Sequence, residues 1–152
     1  MQGMEIEAFY DSANLFGRLA YSTMKGKRDQ SPRDPWFGQK TWIAEIQPDA
    51  LHATLGMKIP QINMVAGWTG DFIGAQRRSP MDADPAATYW SLPKSKGYAI
   101  HGLFANWKPA FIDNTEIRFT VANLFNRDYY PYLGESVSGT GRDYRFTVVK
   151  SF

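Results

Sequence analysis

Cysteine is missing from all 152 residues, which excludes a disulfide framework and any thiolate-ligated metal centre. A charge bias is missing too: 17 Lys and Arg stand against 15 Asp and Glu, so no global field draws the chain to nucleic acid. No apolar run reaches the roughly 18 residues that a membrane helix needs. The opening Met1-Gln2-Gly3-Met4-Glu5 has no basic n-region and no apolar h-region, so it is not expected to be a signal peptide. Nothing marks a second domain: there is no internal repeat, low-complexity tract or linker. Catalysis has no anchor either, since no Ser–His–Asp set, Gly-rich phosphate loop or paired carboxylates occur.

What the chain has in quantity is aromatic residues, five Trp, eight Tyr and ten Phe, and alternation. In Tyr144 to Phe152 the residues Tyr144, Phe146, Val148, Lys150 and Phe152 oppose Arg145, Thr147, Val149 and Ser151. Period two of this kind predicts a strand with one oily and one wet face. The cleanest case is Leu51 to Ile59, where Leu51, Ala53, Leu55, Met57 and Ile59 face away from His52, Thr54, Gly56 and Lys58. Similar runs occupy Met4 to Tyr10, Leu15 to Lys25, Ile62 to Phe72, Tyr98 to Trp107 and the segment opening at Glu116. The facing of Tyr98 to Trp107 is ambiguous, because Tyr98, Ile100 and Phe104 compete with Leu103, Ala105 and Trp107.

Seven strands result, and their connections alternate short (11–14, 60–61, 109–114) with long (26–48, 73–96, 125–141). A helical turn is expected near Thr41 to Ile46. Short turns at one end and long loops at the other are the signature of outer-membrane barrels, whose alternating faces escape a helix search. A seven-stranded sheet in lipid leaves two edges with roughly four or five unpaired backbone groups each, at several kcal/mol per group. The total runs to tens of kcal/mol, so the segment is expected to belong to a larger barrel. The predicted inward polar set is His52, Thr54, Lys58, Asn63, Thr69, Arg118, Thr120, Arg145 and Thr147. Tyr10, Trp107 and Phe152 fall at short-turn ends and Phe72, Tyr129 and Tyr130 at long-loop ends, where headgroup anchors sit.

The order Asn123-Leu124-Phe125-Asn126, then Tyr129-Tyr130, then Gly141-Arg142 before a final strand resembles the closing hairpin of TonB-dependent outer-membrane receptors. The resemblance is strongest to their haem, haemoglobin and haemophore branch. It implies an all-β transmembrane antiparallel β-barrel, with this chain supplying the last seven strands of about 22. It also implies a bacterial outer-membrane location, a plug domain in the lumen and an inner-membrane TonB energy-coupling complex acting through that plug. Lipid and lipopolysaccharide would surround the wall. The implied work is iron acquisition, the uptake of haem or a haem-carrying protein, with haem as cargo and no intrinsic cofactor.

In such barrels the terminal strand is an assembly signal, here Tyr144, Phe146, Val148 and Phe152; Lys150 departs from the pattern and costs about 0–1 kcal/mol at a membrane rim. Aromatic and basic residues of the long loops, Trp36, Trp42, Arg77, Arg78, Tyr89, Trp90 and Tyr132, are candidate ligand contacts, since exposed aromatics and Arg serve as binding anchors. Arg77-Arg78 and Lys94-Ser95-Lys96 bracket one loop and suit either solvent or an acidic partner. His52 and His101 tempt an iron-ligand reading. A lone histidine in a strand run is more often a solvated wall residue, and in the haem branch the ligand histidines lie upstream of this segment. Asp82-Ala83-Asp84 starts like a calcium loop but lacks the downstream Gly and Glu. The rival readings are a soluble lipocalin-like barrel or sandwich with the oily faces inward, and a porin-type channel without a plug.

Overall fold

A computed structural model describes residues 1–29, 40–43, 45–78, 94–134 and 137–151. Trp36, Asp82, Ala83, Asp84, Tyr89, Trp90 and Phe152 lie outside the described residues. The strands are β1 (Gln2–Asp11), β2 (Leu15–Lys25), β3 (Lys27–Asp29), β4 (Lys40–Trp42), β5 (Ala50–Ile59), β6 (Met64–Ile73), β7 (Tyr98–Trp107), β8 (Thr115–Ala122) and β9 (Asp143–Lys150). Seven of them form one antiparallel sheet in the order β1-β2-β5-β6-β7-β8-β9, and β3 pairs with β4 beside it. The helical turn expected near Thr41 is instead the strand β4. Thr41 and Trp42 favour extended backbone, and the Lys27 ammonium sits 4.5 Å from the centre of the Trp42 ring.

Ten-residue strands such as β5 and β6 rise about 33 Å, or about 23 Å of height at a 45° tilt, close to the apolar band of an outer membrane. Among the described residues no helix is long and apolar enough to cross a membrane.

Register decides what each face contains. In-line partners run Ile6↔Tyr21, Leu19↔Ala53, Leu55↔Trp68, Trp68↔Leu103, Leu103↔Val121 and Val121↔Tyr144. Because side chains of in-line partners share a face, most oily residues of the seven strands fall on one side, with Phe9, Phe16 and Met24 among the exceptions. The other side collects Glu7↔Ala20, His52↔Asp71, Thr54↔Thr69, Phe104↔Thr120 and Thr120↔Arg145. Pairing also settles β7: Leu103, Ala105 and Trp107 join the oily face, whereas Tyr98, Ile100 and Phe104 join the polar one. A one-residue slip would have exchanged them.

The oily face is not packed against itself. Leu55 is 57% exposed, Phe146 68% and Val148 56%, and the buried apolar residues among those described are only Ile46, Ala53, Val121 and Tyr132. A soluble barrel with its greasy sides inward would show the reverse. The polar face is laced by polar contacts, the ion pairs Arg18 to Glu7 at 3.0 Å and Lys58 to Asp11 and a hydrogen bond between His52 Nδ1 and Asp71 Oδ1 at 2.6 Å. All are well exposed and worth about 0–1 kcal/mol each. On this face Phe16 and Phe104 lie across Gly56 and Gly67, their ring centroids 6.4 Å apart. A methyl group on either glycine would overlap the ring above it.

Of the expected inward set, Asn63 is displaced. It closes the 3-10 turn Pro60–Ile62 with a left-handed φ of 52°, a conformation that asparagine accepts at low cost.

Candidate functional site at the long-loop end

The long connections meet at one end of the sheet, held by a single buried side chain. Gln76 is 2% exposed. Its Nε2 donates to the Ile46 carbonyl at 2.7 Å, while its Oε1 accepts from the Arg78 backbone N–H at 3.1 Å and from Arg78 Nε at 3.3 Å. Its backbone carbonyl accepts from Ser95 at 3.1 Å. Asp49 completes the tie, receiving Thr23 Oγ1 at 2.6 Å, with the Arg78 guanidinium 3.7 Å away. Buried amides with satisfied partners fix one geometry. Tyr132 of the third connection is buried at the same place. Its phenol is pushed up by burial first and by the Glu45 carboxylate second, with Arg78 opposing.

The β8–β9 connection opens on Asn123-Leu124-Phe125-Asn126. Asn123 (φ 48°) and Asn126 (φ 50°) both take left-handed backbone. The buried Asn123 amide donates to the Arg127 and Thr140 carbonyls at 2.8 and 3.0 Å and accepts the Arg127 N–H at 2.8 Å. Asn126 Oδ1 accepts the Arg142 N–H at 2.9 Å. The run that carries the resemblance in the sequence is therefore a clamp at the neck of a loop.

Above that neck lies a cavity of about 840 Å³, within the range of small-molecule sites. Tyr98 and Tyr129 pack with ring centroids 4.7 Å apart and form one wall. The Tyr129 ring occupies the space that a side chain at Gly139 would need, and the Gly139 N–H donates to the Tyr129 carbonyl at 2.8 Å. Tyr130 and Tyr132 line the cavity further along, and Lys94, Lys96, Arg127 and Asp128 reach it from the two connections. Tyr98 belongs to the polar face, so Tyr129 is not the lipid-side anchor expected from its position. The aromatic cluster at this end of the oily face is instead Trp68, Phe72, His101 and Phe125. At the opposite end Trp107 packs edge-on against Phe111 at 5.7 Å.

The expected contacts divide accordingly. Arg78 and Tyr132 come together inside the neck, Arg77 is exposed beside it, and Trp42 is half-buried under Lys27. The expectation missed the cavity because Tyr98 reads as strand, and only register turns it toward Tyr129. Tyr144, Phe146 and Val148 lie in line on the oily face of β9, Tyr144 beside Val121 and Phe146 beside Phe119.

His52 is on the polar face and His101 on the oily face, stacked 5.6 Å from Trp68. The sheet separates them, so they cannot share an iron. Among the described residues no group of three or more His, Cys, Asp or Glu could hold a metal.

No family model matches the chain. Whole-chain relatives do: it is 53% identical over all its residues to the TonB-dependent heme receptor A of Haemophilus influenzae strain 86-028NP, covering 20% of that protein. It is 49% identical over all its residues to the receptor of the same name from Haemophilus ducreyi, covering 21%. These relatives are receptors, not enzymes, and the chain spans about a fifth of their length. Among solved structures, the FrpB iron transporter of Neisseria meningitidis (F3-3 variant) superposes with a TM-score of 0.75 over 96% of this chain and 22% of its own, at 24% identity. An antiparallel sheet with one oily face, long connections gathered at one end and this degree of identity point one way: over its whole length the chain is similar to a segment of TonB-dependent heme receptors, and its sheet has the fold of such a transporter's wall.

Proposed function

We propose that the chain forms the last seven strands of a bacterial outer-membrane barrel of about 22 strands, with a plug domain in its lumen. The whole receptor takes up haem, free or delivered by a haem-carrying protein, and draws on the inner-membrane TonB complex through the plug. One observation carries the membrane reading: register gathers most of the exposed oily residues of the seven strands, Leu55, Leu103, Phe146 and Val148 among them, on a single face. In water that face would aggregate; against lipid it is the normal exterior of a barrel. The polar face then lines the pore toward the plug, and the long-loop end faces outside, where lipopolysaccharide meets Trp68, Phe72 and Phe125. The haem reading is supported by the names of the relatives at about half identity.

Leu55→Arg in the full-length receptor tests the facing. Leu55 is central in β5, where an outward Arg costs about 2–4 kcal/mol. Heat-modifiable mobility on gels should drop sharply, and growth on haem as sole iron source should fall with it. Unchanged mobility would refute the facing.

A further inference from the structure

We infer that the cavity walled by Tyr98 and Tyr129 is an entry subsite for the porphyrin itself, and that it recognises ring and propionates rather than iron. The inference rests on the haem-receptor reading above and adds to it a place and a mode of recognition. A porphyrin is a flat aromatic plate with two carboxylates on one edge. The cavity offers a matching division. Tyr98 and Tyr129, packed at 4.7 Å, supply an aromatic wall continued by Tyr130. Lys96 and Arg127, both exposed, bring cationic charge to the same opening from opposite connections, and Lys94 adjoins them. Among the described residues Asp128 is the one carboxylate on the rim, so the described cations outnumber it and their field favours an anion. The wall is pre-built: Tyr129 is seated over Gly139, and its loop is clamped by Asn123 and Asn126. Little ordering remains to be done on binding, which favours affinity. Tyr98 stands on the polar face at the mouth, so a plate resting there lies at the entrance to the pore.

No histidine lines the cavity, and hence the prediction is metal-independence. The full-length receptor, purified in detergent, is titrated with haem, with metal-free protoporphyrin IX and with the protoporphyrin dimethyl ester, following absorbance and fluorescence quenching. Metal-free protoporphyrin should bind at this subsite, and the ester should bind at least tenfold more weakly. Lys96→Ala with Arg127→Ala should weaken protoporphyrin by about ten- to thirtyfold, two pairs at roughly three- to fivefold each, and should leave the ester unchanged. Gly139→Val, which evicts the Tyr129 ring, should lose protoporphyrin binding.

Equal affinity for acid and ester, or no effect of the double cation variant on protoporphyrin, overturns the subsite while haem uptake stands. A wild-type receptor that neither binds haem nor supports growth on it overturns the haem reading along with the subsite.

Discussion

Asn123 leaves β8 on a left-handed backbone and gives three side-chain hydrogen bonds to the loop that it opens. Alanine there loses the bonds, about 0.5–1.5 kcal/mol each, and meets a backbone penalty of about 1 kcal/mol. Asn123→Ala should therefore cost roughly 2.5–5.5 kcal/mol, read as a lower denaturant midpoint of the detergent-solubilised receptor. Asn123→Gly should cost about 1 kcal/mol less, because glycine accepts the backbone.

The glycines under the two phenylalanines separate two causes of clash. Gly56→Ala meets the Phe16 ring at each of its three nearest atoms, so its destabilisation of about 1–3 kcal/mol should be relieved by Phe16→Leu. Gly67→Ala also meets the Leu55 carbonyl, and Phe104→Leu should not relieve it. Equal rescue in both double variants would contradict the geometry.

At the scale of elements, β7 gives the sharpest contrast with its sequence. Leu103 and Phe104 are neighbours with similar hydropathy, yet one points to the oily face and the other over Gly67. Leu103→Arg should cost about 2–4 kcal/mol in assembly, whereas Phe104→Arg should assemble and change only the pore side. Gel mobility of the two variants checks this directly.

The strands were legible because alternation is local: β2, β5 and β9 show it in their own residues. The facing of β7 was not, since Tyr98, Ile100 and Phe104 are as apolar as Leu103, Ala105 and Trp107, and only pairing with β6 and β8 distinguishes them. The same cause hid the cavity, whose walls lie far apart in sequence and meet through register and the Asn123 clamp. The turn at Thr41 misled because a short segment beside Trp42 has too few residues for periodicity to speak. Lys150 breaks the oily pattern of β9 without disrupting it. Its ammonium reaches the Asp113 carbonyl in the short turn, as a long basic side chain at a membrane rim would.

For the whole molecule, the absence of cysteine becomes an asset. Single cysteines can be placed in this segment with no background thiol from it. Arg77→Cys, exposed at the long-loop end, should react with a membrane-impermeant maleimide on intact cells. Phe111→Cys, exposed in the short turn between β7 and β8, should react only after the outer membrane is opened. The reverse pattern would invert the barrel.

The clamp at the neck of the β8–β9 connection has an evolutionary consequence. Asn123 and Asn126 are bonded across to Thr140 and Arg142, so the neck is fixed by bonds that do not depend on the tip of the loop. Foreign peptide spliced at Gly134 should ride on the surface while the barrel assembles as before. A tip held in this way is free to change in sequence while the architecture stays.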